Sequence, residues 1–147
     1  MSELPRRIVS SLRRFIGNRR HSKRVRTRLS FTIGLADSRL GSNGSRRLPT
    51  LNGHTLDVSS TGLALIVPAI RIGEHYLAGA ERKLHVKLEL PTGPVEMKVV
   101  TVRYESLEEN GEETGYLIGA RITEMSDQHR GSYGSYVAKM LKRAPAD

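Results

Sequence analysis

Leu84-His85-Val86-Lys87-Leu88-Glu89-Leu90 changes sides at every residue, apolar then polar, which only a half-buried β-strand can use. Pro91-Thr92-Gly93-Pro94 supplies turn chemistry, and Val95 to Tyr104 alternates again through Met97, Val99 and Val102 with one slip. Together they predict a β-hairpin, and a hairpin needs further strands to bury its apolar face. Leu29-Ser30-Phe31-Thr32-Ile33 supplies one, and Thr55 to Val67 reads as two more, interrupted by Ser59-Ser60-Thr61-Gly62. Leu63, Leu65 and Val67 alternate into the core, and Pro68 stops that strand. An acidic loop containing Glu108, Glu109, Asn110, Gly111, Glu112 and Glu113 precedes a last strand over Tyr116 to Ile122.

The chain ends differently. Ser126-Asp127 can cap a helix, and Tyr133, Tyr136, Val137, Met140 and Leu141 recur at the i, i+3, i+4, i+7, i+8 spacing of one buried helical face, with Gly131 and Gly134 weakening its start. That spacing reads as core contact rather than a platform for stacking bases. Six or seven short strands in hairpin order followed by a helix predict a mainly β fold: a small six-stranded antiparallel barrel with the C-terminal helix laid against one opening.

At 147 residues the chain suits one such domain. Its charge is unevenly placed. Met1 to Arg28 holds ten Lys/Arg against Glu3 alone, which already accounts for the whole formal charge of +9, while the remaining fourteen basic and fourteen acidic side chains cancel. Leu4, Ile8, Leu12, Phe15 and Ile16 recur at helical spacing with Arg6, Arg7, Arg13 and Arg14 on other faces. Residues 4–16 therefore read as a short basic amphipathic helix, ended by Gly17-Asn18, which can lie on an anionic membrane surface, bind a partner or pack on its own barrel. The division expected is an arm over 1–18, a barrel domain with its helix over 19–143, and a tail over 144–147. The region from Asp37 to Gly53, rich in Ser, Gly, Asn and Arg, is expected to be a hairpin-like excursion.

With no cysteine, disulfides, thiolate metal sites and cysteine nucleophiles are excluded. A cytoplasmic location is expected, since no apolar run approaches the roughly 18 residues of a membrane span and no signal core is evident. His21, His54, His75, His85 and His129 show no ligand spacing, so no metal is expected. No nucleophile triad, phosphate loop or paired carboxylates stand out, which argues against an enzyme.

Two short patterns remain: Arg20-x-x-x-Arg24 on the approach to the first strand, and Asp57-x-Ser59-x-x-Gly62 between two strands. The first is cheap in so arginine-rich a segment. The second arises by chance at roughly one position in a few thousand, and a plain Asx or Ser/Thr turn is its simplest reading. In this order, with Leu63-Ala64-Leu65 after the glycine and Ile118-Gly119-Ala120-Arg121-Ile122 near the end, the chain from Arg19 to Leu141 resembles the PilZ domain family. The long connection over Asp37 to Gly53 departs from that pattern.

The resemblance implies a six-stranded barrel that binds cyclic di-GMP, with Arg20 and Arg24 on phosphate and guanine, Asp57 and Ser59 on guanine edges, and Gly62 as the turn residue. The residue types suit the ligand. Arginine can take a phosphate bidentately, bond the O6/N7 edge of guanine or stack on the ring, and a carboxylate accepts from the guanine N1–H and amine. Arg24-x-x-x-Arg28 is an alternative register. Arg19, just before the motif, implies a stacked pair of ligands. The expected role is a receptor that signals to a protein partner in motility, secretion or polysaccharide synthesis by ordering its N-terminal segment. Two other readings stay open: a PilZ-like scaffold that binds no nucleotide, and a basic-arm nucleic-acid module. The latter is disfavoured by a neutral body, no Trp and two Phe.

Overall fold

The structure is a computed structural model that describes residues 23–35, 50–72, 75–77 and 82–143. The arm over 4–16, Arg19, Arg20, most of the 37–53 excursion and the 144–147 tail fall outside them.

Nine strands and one helix are present among the described residues: β1 (Val25–Arg26), β2 (Ser30–Leu35), β3 (Leu51–Val58), β4 (Gly62–Val67), β5 (Arg71–Ile72), β6 (His75–Tyr76), β7 (Lys83–Leu90), β8 (Gly93–Glu109), β9 (Glu112–Met125) and α1 (Asp127–Arg143). Six of them close an antiparallel ring in the order β3-β2-β7-β8-β9-β4, sealed by the β3–β4 pairing. The expected six-stranded barrel with a C-terminal helix is the observed architecture.

Closure follows from alternation. Phe31 and Ile33 of β2, Leu63, Leu65 and Val67 of β4, Leu84, Val86, Leu88 and Leu90 of β7, Val95, Met97 and Val99 of β8, and Ile118 and Ala120 of β9 point into one buried cluster. Each fully buried large side chain contributes about 1.5–3 kcal/mol against remaining exposed. Residue Ser126 caps α1 by accepting from the His129 amide at 3.1 Å. The helix sends Tyr133 and Val137 into the barrel cluster, with Tyr136, Met140 and Leu141 packed at its margin, as their spacing predicts.

β1 and β2 behave as one interrupted strand along the free edge of β3. β2 pairs at Ser30↔His54 through Ile33↔Leu51, and β1 pairs at Val25↔Val58 and Arg26↔Asp57. Thr55 stitches the gap: its hydroxyl donates to Thr27 O at 2.5 Å and accepts from Leu29 N at 2.9 Å. Leu51 to Gly53, assigned from the sequence to the excursion, therefore belong to a barrel strand.

Two other expectations change. The acidic loop is a two-residue turn, because Asn110 (φ 57°) and Gly111 (φ 81°) take the left-handed conformations that a tight hairpin needs. β8 and β9 consequently run on to Glu109 and Glu112, well past the end of β7. Val102 does not continue the inward alternation of β8. It is 46% exposed: Thr101, opposite the inward Ala120, keeps the parity of Val95, Met97 and Val99, and Val102 is the extra outward residue of a bulge between Thr101 and Arg103.

Candidate functional site

Asp57 owes its direction to a bulge. Along β3, Thr55 lies opposite Leu65, whose side chain is in the barrel core, so strict alternation would turn residue 57 inward as well. The register slips between Thr55 and Asp57, with Leu56 as the extra residue, and Asp57 comes to lie opposite Ala64 on the outer face. From there the pairings trace one row across five strands: Arg26, Asp57, Ala64, Gly119 and Arg103. The neighbouring pair Gly62↔Arg121 lies on the same face, because the alternate residues Leu63, Leu65, Ile118 and Ala120 point inward. Gly62, Ala64 and Gly119 thus form a stretch of the outer face that carries almost no side chains of its own, bordered by arginines; all three are buried, Ala64 among Leu56, Leu107 and Leu117.

Arg24 precedes β1, and its guanidinium is ion-paired through Nη1 with Asp57 Oδ1; the two side chains are 6% and 2% exposed. This joins the two sequence patterns directly. The Arg24 Nε atom is buried with no hydrogen-bond partner among the described residues. A burial that leaves part of a guanidinium unsatisfied does little for stability on its own account. Arg28, the second member of the alternative register, is exposed and lies near His54.

Ser59 is buried and its hydroxyl shapes the turn. Its Oγ accepts from Thr61 N at 3.3 Å and Gly62 N at 3.1 Å, while Ser59 N donates to Gly62 O at 2.9 Å. Thr61 O in turn accepts from Ile122 N at 2.9 Å, tying the turn to β9. From the other side, Tyr133 of α1 donates its phenolic proton to Ser59 O at 2.6 Å. Burial is the main reason that the Tyr133 hydroxyl is pushed far above the usual tyrosine range, so it stays a donor at all ordinary pH. Gly62 is not among the residues with positive φ, so its contribution is the missing side chain rather than a left-handed turn. A second tyrosine hydroxyl, from Tyr136, meets Thr27 Oγ1 at 2.8 Å, so α1 touches both motif segments.

The sequence reading did not single out Tyr133, Arg26, Arg103 or Arg121 for the site. Strand register places the three arginines there, and register is visible only once the bulge is known. No group of three metal-ligating side chains occurs among the described residues.

The comparisons bear on this geometry. The family model for the PilZ domain matches residues 18–139. The chain belongs to the PilZ domain family. Among solved structures, this PilZ domain is similar to the PilZ domain with c-di-GMP of YcgR from Escherichia coli, at 12% identity and a TM-score of 0.61, covering 85% of this chain and 93% of that one. It is similar to the PilZ domain of CeSA from a cellulose-synthesizing bacterium, at 19% identity and a TM-score of 0.51, covering 82% and 99%. The Bacillus subtilis inhibitor of motility MotI/DgrA matches at 13% identity and a TM-score of 0.60, with 86% of this chain covered but 53% of that one. This PilZ chain therefore spans about half the length of that relative and the whole of an isolated domain. No curated protein sequence matches it. No described helix is long and apolar enough to cross a membrane.

Proposed function

We propose that this PilZ domain is a receptor for cyclic di-GMP, seated on the outer face of β3, β4 and β9, and that it works by binding rather than catalysis. The observation that carries this reading is the buried Arg24–Asp57 pair, which brings the two motifs together at the edge of the Gly62–Ala64–Gly119 floor. A flat floor admits a purine ring, a carboxylate takes the guanine N1–H and amine, and guanidinium groups take the phosphodiester charges. In this reading Arg24 and Asp57 contact the ligand, while Gly62 brings no side chain to the floor. Ser59 holds the turn that presents them and offers its hydroxyl to the guanine edge. Arg20 and Arg19 close over the ligand, Arg19 supporting a stacked pair. YcgR and MrkH structures of this fold contain c-di-GMP, which supports the ligand class. The signal passes to a protein partner through ordering of the N-terminal segment.

Calorimetric titration with cyclic di-GMP, with GTP as the specificity check, tests this. Micromolar or tighter binding lost in both Arg20→Ala and Asp57→Ala is the expected result, and the molar ratio reads one ligand or two. Absence of both heat and thermal stabilisation overturns the reading in favour of a protein-binding scaffold.

A further inference from the structure

β8 outruns one of its neighbours. Its ladder with β7 ends at Lys83↔Val100, yet it stays paired with β9 as far as Glu109↔Glu112. From Val102 onward the other edge of β8 has no strand beside it among the described residues. Every second residue of that stretch turns its backbone N–H and C=O groups outward, which makes the edge a template for another strand.

The same edge gathers exposed apolar surface. Tyr104 is 55% exposed, Tyr76 54% and Val102 46%, and these are the large apolar side chains left exposed among the described residues. Tyr76 belongs here because Leu77 O accepts from the Thr101 hydroxyl at 2.8 Å, which fixes the end of β6 beside the start of the free stretch.

Charge on an edge strand ordinarily deters pairing. Here the charges alternate in sign about a tyrosine, in the order Arg103, Tyr104, Glu105. Arg103 and Glu105 oppose Gly119 and Leu117 on the outer face, and Tyr104 opposes Ile118 on the other. We propose that this edge pairs with the same edge of a second copy of the chain, antiparallel about a two-fold axis through Tyr104. In that register Arg103 of each copy faces Glu105 of the other on one side of the joined sheet, and the Tyr104 rings meet on the opposite side. The neighbouring symmetric registers, centred on Arg103 or on Glu105, set like charges against each other and are disfavoured. An antiparallel partner must read Arg-x-Glu, cation first, which is the order that this edge itself carries.

Arg103 also borders the Gly62–Ala64–Gly119 floor, so a bound phosphodiester and Glu105 of the second copy would compete for it, and the ligand would loosen the dimer. This last consequence rests on the cyclic di-GMP reading; the pairing does not.

Sedimentation equilibrium of the full chain without nucleotide, over a dilution series, tests the pairing. The chain should show a reversible equilibrium between monomer and dimer. Arg103→Glu or Glu105→Arg alone sets like charges opposite each other at both symmetric positions and should weaken the dimer at least about tenfold. Mixing the two single variants, or combining both substitutions in one chain, puts opposite charges back at both positions and should restore it. A dimer that either single substitution leaves unchanged, or that the mixture fails to restore, overturns the proposal. A chain that stays monomeric throughout leaves the edge to some other segment and overturns it too.

Discussion

Replacing Tyr133 by Phe removes one oxygen from a ring that is 1% exposed and keeps the packing of that ring. Gly62 O would remain satisfied, since it also accepts from Ser59 N at 2.9 Å. Ser59 O, which accepts the short bond of 2.6 Å, would be left buried without its donor. A net hydrogen bond is worth about 1 kcal/mol, and stranding a buried carbonyl raises the cost to about 2 kcal/mol. For a chain near 150 residues that corresponds to a fall in Tm of about 7 °C. Tyr136→Phe is the internal control. Its partner Thr27 is half-buried and water can replace the lost hydroxyl, so its cost should stay below about 1 kcal/mol. Urea unfolding followed by circular dichroism measures both variants. If Tyr133→Phe lies within about 0.5 kcal/mol of the parent, or costs less than Tyr136→Phe, the turn is not held by α1 and the argument fails.

Other substitutions probe separate steps. Arg24→Lys keeps the charge but loses the planar fork, and should weaken cyclic di-GMP binding at least about tenfold in calorimetry. Burial, helped by the positive charge of Arg28, lowers the His54 pKa below 6.5. The folded state therefore resists protonating His54, so its stabilising contribution is complete above pH 6.5 and is lost as pH falls through the lowered folded value. Tm should drop on acidification from pH 7.5 to 5.5, and His54→Gln should flatten that part of the profile. Gly53→Ala would place its Cβ 2.2 Å from Ile66 O and 2.8 Å from the Phe31 ring, so strands must part, at a cost of at least about 2 kcal/mol in urea unfolding. Gly111→Ala has open space and strains only a left-handed turn, costing about 1 kcal/mol; equal costs for the two would contradict the close approach at Gly53.

The barrel was legible because its strands obey a period of two and its helix a period near 3.6: the buried set of β7 is the one that alternation picks out, and the two buried residues of α1, Tyr133 and Val137, lie on the stripe that helical spacing marks. Legibility failed where one residue alters parity. Val102 reads as inward only if the strand slips between Val99 and Val102, whereas the irregularity lies after Thr101 and leaves it outward. The Asn110-Gly111 turn was hidden by its glutamates, which read as a loop although they continue the strands. Within the site, the two motifs could be read from the sequence but the Arg24–Asp57 ion pair that joins them could not, and Tyr133 carries no local sign of its tie to Ser59, since its spacing marks it equally well as core. A contact across 74 residues has no sequence period to betray it.

The bulge at Leu56 also defines what would have to be moved to build such a site elsewhere. Copying Asp-x-Ser-x-x-Gly onto a regular hairpin would aim the carboxylate at the hydrophobic interior, where a charge cannot stay unpaired. The transplantable module is larger: a doubled residue before the aspartate, glycine and alanine on the facing strands, and a phenol reaching across from a helix to hold the serine carbonyl. Anyone grafting nucleotide recognition onto another barrel would need to carry all four pieces, and losing the doubled residue would undo the rest.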